Sequence, residues 1–317
     1  MNIYRDLELI PSDFGPSIVS VGNFDGVHLA HQAVLKQVVQ RARETGSKAV
    51  VVTFDPHPVR ILHPDKDLKL ITPGESRIRL LADTGIDAAL ILPFTRDLSV
   101  MSAHHFLEQI LVGKLHAKEI HEGFNFHFGH KAKGNVQLLE ELAPRYGFVV
   151  KVYPEMKIRG AAVSSSQIRK LVQSAEVSRV RHLIGRVFSI HSTPGRGRGY
   201  GHKYTVPTIN LSRYDELIPQ NGVYITRSKI GEECFDSVTN VGVRPTFGQD
   251  SFAIESHLLN FHPIELTAET PVELSFLKHL RPEMKFPSVD ELREQIARDV
   301  HRARRYFQLL KLQSPAS

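Results

Sequence analysis

Two histidines, His28 and His31, stand three residues apart in VGNFDGVHLAHQ, residues 21–32, where an apolar run ends and a helical pattern begins. At a helix start that spacing puts both imidazoles on one face, so both can donate hydrogen bonds to a single phosphate group. Gly22 and Gly26 let backbone approach a ligand closely. A helix N-terminus aims unpaired N–H groups and the positive end of its dipole at whatever lies there, so an anion belongs in that place. Other readings compete. A plain capped helix start uses the same residue types, and zinc would need further ligands, with no cysteine or HExxH pattern nearby. No lysine follows the glycines as in a Walker loop, and GxGxxG is absent.

Further strings are ambiguous when taken singly. GRGRGYGHKYTVPTINL, residues 195–211, reads alone as a solvated basic loop or an RGG-like RNA contact. SSSQIR, residues 164–169, reads alone as a helix N-cap. A lone strand glutamate such as Glu255 more often faces solvent. TFDPHP, residues 53–58, ends an apolar run, and strand C-termini in open α/β sheets line the ligand crevice, so Phe54, Pro56 and Pro58 are candidates to pack on a ring, with a plain loop as the alternative.

The elements that must position these residues follow from periodicity. Between Ser17 and Pro154, short β-branched runs (IVSV, AVVVTF, AALILPF, AKEIHE, FVVKVY) alternate with helical stretches at His31–Thr45, Glu75–Thr84, Ala103–Leu115 and Asn135–Tyr146. That pattern predicts an α/β unit with a parallel sheet covered on both faces. Gly46 and Gly85 are placed as helix stops. Two short helices follow, Ser165–Val172 and Glu176–Ile184. From Gly185 to about Leu280 the helical period gives way to glycine-rich turns and short runs such as NGVYITRSKI and DSVTNVGV, the texture of an antiparallel sheet or barrel. Val289–Leu310 closes the chain as a long helix. The expected domains are residues 1–184 and 185–317.

Composition excludes several classes. The 317 residues are 41% hydrophobic and 23% charged, ordinary globular values that rule out a disordered or fibrous chain. Cys234 is the single cysteine, so no intrachain disulfide forms; with no charged-then-apolar leader in MNIYRDLELIP, the expectation is a reducing, cytoplasmic setting. No apolar run approaches the roughly 20 residues of a membrane helix. A net charge of +6 favours anions without choosing between nucleic acid and phosphorylated small molecules.

Taken together and in order, GNFDGVHLAHQ, TFDPHP, GFNFHFG (123–129) and VSSSQIRKL (163–171) resemble the prokaryotic bifunctional riboflavin kinase and FMN adenylyltransferase family. The resemblance continues through PTINL, NVGVRPTFG, IESHLLNF and LRPEMKF. It implies a Rossmann-like nucleotidylyltransferase domain that transfers AMP from ATP to FMN, then a β-barrel kinase domain that phosphorylates riboflavin, with Mg²⁺ at both sites. It implies that His28 and His31 touch the ATP phosphates, helped by Gly22, Asn23, Phe24, Gly26, Asn125, Ser164, Ser165 and Arg169. Phe54, Pro56 and Pro58 would meet the flavin. In the second half, Gly197, Gly199 and Gly201 would form a flap over ATP with Pro207 beside it, Thr208 and Asn210 would hold Mg²⁺, and Glu255 would be the general base. Small molecules are the expected partners, with no nucleic acid or membrane; a homo-oligomer is compatible.

The chain departs from that pattern at Ala30, Thr205 and Asn260, where relatives carry Gly, Gly and Asp. Thr205 matters most, because a β-branched residue resists φ > 0. An adenylyltransferase with an impaired kinase domain acting as a binding module is therefore the alternative. Two further classes are weighed: an adenylyltransferase for another phosphorylated precursor, which TFDPHP and the β domain disfavour, and a basic RNA or flavin binder.

Overall fold

The structure, a computed structural model, describes residues 1–195, 208–244 and 251–313. Gly197, Gly199, Gly201, Thr205 and Pro207 lie outside the described residues. The chain divides into two compact units, Met1–Ser165 and Ser166–Ser317.

The first unit is an α/β layer. Its elements are β1 (Asn2–Tyr4), β2 (Ser17–Val21), α1 (Leu29–Thr45), β3 (Lys48–Asp55), α2 (Pro58–Leu62), α3 (Gly74–Ala82), β4 (Ala88–Pro93), α4 (Arg96–Val100), α5 (Ala103–His105), β5 (Ala117–Gly123), β6 (His127–Phe128), β7 (Gly134–Asn135), α6 (Val136–Tyr146), β8 (Val149–Tyr153), β9 (Lys157–Ile158) and β10 (Ala161–Ala162). The main sheet runs β1-β4-β3-β2-β5-β8, parallel throughout. Strand order reverses between β2 and β5, which makes that gap the topological switch point where such sheets bind ligands. One face buries Ile18, Ala49, Val51 and Ala89 with Leu35 and Val38 of α1 and Leu81 of α3. The other buries Val19, Val50, Leu90 and Ile120 with Phe106, Ile110 and Leu139. The expected strands and helices are all present.

Three local features differ from the sequence reading. β1 is a three-residue edge strand, too short for its alternation to register. After α5 the expected helix continues as a π-helix, Phe106–Lys114. A Cβ on Gly113 would lie 2.9 Å from the carbonyl oxygen of Glu108, five residues back, so the wide turn closes over a residue without a side chain. Gly46 caps α1 at φ 64°, as expected, whereas α3 ends at Ala82 and Gly85 (φ 84°) closes the turn after it.

The second unit begins within α7 (Ser165–Gln173) and continues through α8 (Val177–Ile184), β11 (Phe188–Ser192), β12 (Thr208–Asn210), β13 (Gly222–Ile230), β14 (Glu233–Arg244), β15 (Ser251–Leu258), β16 (Val272–Arg281) and α9 (Val289–Gln313). Its antiparallel sheet runs β11-β16-β13-β14-β15-β12, and a bridge between Pro194 and Leu211 links the two outer strands into a barrel. Val223, Ile225 and Val238 pack outward on Ala303 and Phe307 of α9. Inside, Phe188 and Phe276 fill one part, and five fully buried hydroxyls fill another. Thr226, Ser237, Ser228, Ser256 and Thr239 hydrogen-bond in a closed ring at 2.7–3.0 Å. Five protons serve five bonds, so each hydroxyl donates once and accepts once.

Candidate active sites

The string GNFDG forms the turn between β2 and α1, and its shape is imposed by residues around it. Phe24 (φ 47°) and Val27 (φ 37°) hold left-handed backbone that costs non-glycine residues energy, so the surroundings must enforce it. Gly26 (φ 88°) is required, since a Cβ there would also press Ile71 at 3.2 Å. The Asp25 carboxylate accepts from Ile71 N and Thr72 N, each at 3.0 Å, and Thr72 Oγ1 accepts from Gly26 N at 2.8 Å. Arg77, buried on α3, donates to the carbonyls of Asn23 (3.1 Å) and Phe54 (3.0 Å), fastening the turn to the end of β3. Burial lowers the Arg77 pKa against the pull of Asp55 and Asp25. Ser165 Oγ donates to the Asp25 carbonyl at 2.8 Å. Asp25, Thr72 and Arg77 escaped the sequence reading. Asp25 lies inside the turn string, but Thr72 and Arg77 are remote in sequence and carry no local signal.

His28 is the N-cap of α1, its Nδ1 accepting from His31 N at 3.3 Å, so the capped-start reading holds together with the pairing. The two rings stack at 3.5 Å and 14°, and Phe24 meets His31 edge-on at 5.1 Å. His31 Nδ1 is buried without a hydrogen-bond partner among the described residues. Burial, then the His28 charge, holds the His31 pKa well below the usual range. The turn therefore offers imidazole rings and backbone N–H groups at the C-terminal edge of the sheet, an arrangement able to bind phosphate oxygens.

At the end of β3, Phe54 is half-buried, Pro56 is exposed, and Pro58 starts α2, whose cap is the buried His57. Phe54 opens an aromatic series that the sequence reading did not assemble: Phe94 at 5.6 Å, Phe106 at 6.4 Å, then Phe128 at 5.9 Å from Phe106 with Phe126 stacked on it. Asn125 is exposed in the loop after β5. Ser164 precedes α7, and Arg169 stands one turn after Ser165 on that helix.

In the second unit, Thr208 and Asn210 lie on the same side of β12, and Asn210 is directly opposite Glu255 of β15. On the far side of β15, Asn240 of β14 is also opposite Glu255, so two amides flank the carboxyl in one row across three strands. Ile254 and Ser256 are buried inside the barrel, which turns Glu255 to its outer face. Asn240 was missed, because its partnership depends on register. Asn260 has φ 55°, a conformation that asparagine tolerates well, and it lines a recess of about 330 Å³ with Arg227, Phe235 and Lys311. Among the described residues no cluster of three His, Cys, Asp or Glu could hold a metal.

An α/β unit with a clamped glycine–histidine turn at its switch point, joined to a hydroxyl-cored β-barrel carrying a Thr-x-Asn strand against a glutamate, has the build of a nucleotidyl-transfer unit fused to a flavokinase-type barrel. The FAD synthetase family matches residues 10–167 and the riboflavin kinase family residues 184–307. The bifunctional riboflavin kinase/FMN adenylyltransferase of Buchnera aphidicola from Schizaphis graminum is 32% identical over 98% of this chain and 100% of its own. The Escherichia coli K12 protein of the same name is 30% identical over 93% and 94%. The chain belongs to the bifunctional riboflavin kinase/FMN adenylyltransferase family. A crystal structure described as a macrolide-efflux protein from Streptococcus pneumoniae aligns at TM-score 0.85 and 25% identity over 95% of this chain and 98% of that one. Among the described residues no helix is long and apolar enough to cross a membrane.

Proposed function

We propose that this chain phosphorylates riboflavin to FMN and then transfers AMP from ATP to FMN, giving FAD and pyrophosphate. The observation that carries the reading is the stacked His28–His31 pair on a clamped glycine turn, in a chain matched end to end by relatives of that name. In the adenylyl step an FMN phosphate oxygen attacks the ATP α-phosphorus in line, and the bond to the β-phosphate oxygen breaks. Positioning and charge neutralisation supply most of the catalysis in such transfers. His28 and His31 hold the phosphates with Gly22, Asn23, Phe24, Gly26, Asn125, Ser164, Ser165 and Arg169. Phe54, Pro56 and Pro58 hold the flavin, and the aromatic series from Phe54 to Phe128 extends that apolar wall.

In the kinase step the Glu255 carboxylate takes the proton of the riboflavin 5′-hydroxyl, whose oxygen attacks the γ-phosphorus as ADP leaves. Gly197, Gly199, Gly201 and Pro207 serve the ATP phosphates. Thr208 and Asn210 offer only oxygen donors to a cation, the set that Mg²⁺ prefers, and so fit it. Bound there, Mg²⁺ would neutralise phosphate charge. The functional division falls between residues 184 and 185, the protein works in the cytoplasm, and a homo-oligomer is compatible with this scheme. Incubation with riboflavin, ATP and Mg²⁺, with chromatographic separation of FMN from FAD, tests it: both products are expected, and absence of FAD would overturn the first-unit assignment.

A further inference from the structure

β2 and β5 part just below the phosphate turn. They pair at Ser17↔Ala117, Ile18↔Glu119 and Val19↔Ile120, with no later pair among the described residues, while β2 stays paired with β3 as far as Val21↔Val52. Gly22 N–H points to β3, donating to Val52 O at 2.9 Å, so by alternation Val21 N–H points toward β5 and has lost its rung. It donates instead to Glu122 Oε1 at 2.6 Å. Glu122 is only 3% exposed, directly precedes Gly123 at the end of β5, and its other carboxyl oxygen has no protein partner among the described residues. This carboxyl lies at the switch point, and the scheme above gives it no task.

We propose that Glu122 is a positioning residue for adenylyl transfer: its buried carboxyl accepts from Val21 N–H in place of the missing rung and so holds the backbone beneath Gly22. Burial pushes the Glu122 pKa well above the usual carboxylate range, with the Val21 N–H as the opposing cause. A carboxylate there would cost solvation and would add negative charge beneath a turn that receives phosphates. The titratable groups around that edge are His28 and His31 at the start of α1, Asp25 and Arg77 about the turn, and His121 on the opposite face of β5; none of them is a cause of the shift. The inference rests on the adenylyl-transfer reading of the first unit.

The test follows kcat/KM for FAD formation from FMN between about pH 6 and 10 in the full-length wild type, Glu122→Gln and Glu122→Met, with riboflavin phosphorylation by the same preparations as the control. Glutamine keeps the acceptor oxygen and a donor but does not titrate. The wild type is expected to lose FAD formation on the alkaline side, at least about tenfold more than Glu122→Gln, while the kinase profiles coincide. Glu122→Met, which leaves Val21 N–H unpaired, is expected to lose FAD formation about tenfold at neutral pH. Superimposable wild-type and Gln profiles, or full FAD formation by the Met variant, would overturn the proposal. A wild type that makes no FAD at any pH would strike the underlying reading, and the proposal with it.

Discussion

At His31 burial and stacking hold an imidazole ring without charge. Its Nδ1 is shut away, His28 stacks on it, and burial keeps it neutral. Removing a positioned donor of this kind typically costs about 2.7–4 kcal/mol in transition-state stabilisation. His31→Ala is therefore expected to lower FAD formation by two to three orders of magnitude while riboflavin phosphorylation, assigned to the other unit, stays near wild type. Equal loss of both in a folded variant would refute the two-site assignment. The same burial sets a pH dependence. A histidine whose folded pKa is lowered binds fewer protons folded than unfolded, so as pH falls through the unfolded value near 6.5 the unfolded state gains protons and stability drops. Burial lowers His121 likewise. His31→Gln is expected to shrink the fall in Tm between about pH 7.5 and 5.5; an unchanged fall would show that His31 is not the buried group responsible.

Where α9 covers it, β13 buries both faces, and this explains what was legible there and what was not. Val223 and Ile225 turn outward to α9, whereas Tyr224, Thr226 and Ser228 turn inward and are fully buried. An alternating strand is usually read as apolar-in and polar-out, so nothing in NGVYITRSKI announces that its hydroxyls are core. Removing one hydroxyl from the ring leaves two neighbours each short of a bond. Ser228→Ala is expected to destabilise the second unit by about 1–3 kcal/mol, read as a lower urea midpoint; an unchanged midpoint would deny the ring its role. In the first unit the strands were legible because each apolar run is bounded by turn residues, and the helices because Leu35, Val38 and Ala42 repeat at helical spacing. The turn between β2 and α1, with its histidine pair, was legible from glycines and histidines close in sequence. Its clamp was not, because Thr72 and Arg77 reach it only through the fold. The π-helix depends on one missing Cβ at Gly113, and the Asn210–Glu255–Asn240 row on a register that no single strand encodes.

At the scale of the molecule, the place where function divides and the place where folding divides need not coincide. The barrel's motifs all follow residue 185, yet the second compact unit starts at Ser166 and takes in α8. That helix packs on β11 and β16, burying Val177, Val180, Leu183 and Ile184. The end of α7 is also tied in, since Gln220 N donates to Val172 O at 3.3 Å. Four buried aliphatic side chains at about 1.5–3 kcal/mol each amount to roughly 6–12 kcal/mol as an upper bound, comparable to the 5–15 kcal/mol total stability of an ordinary domain. A fragment of residues 166–317 is therefore expected to unfold cooperatively and to make FMN but no FAD. A fragment of residues 185–317, which lacks α8 and its four buried aliphatic side chains, is expected to unfold at much lower urea or to aggregate. Urea titrations of the two fragments side by side decide the matter: equal midpoints would mean that α8 adds nothing to the barrel, and that the folding unit starts at the same residue as the kinase motifs.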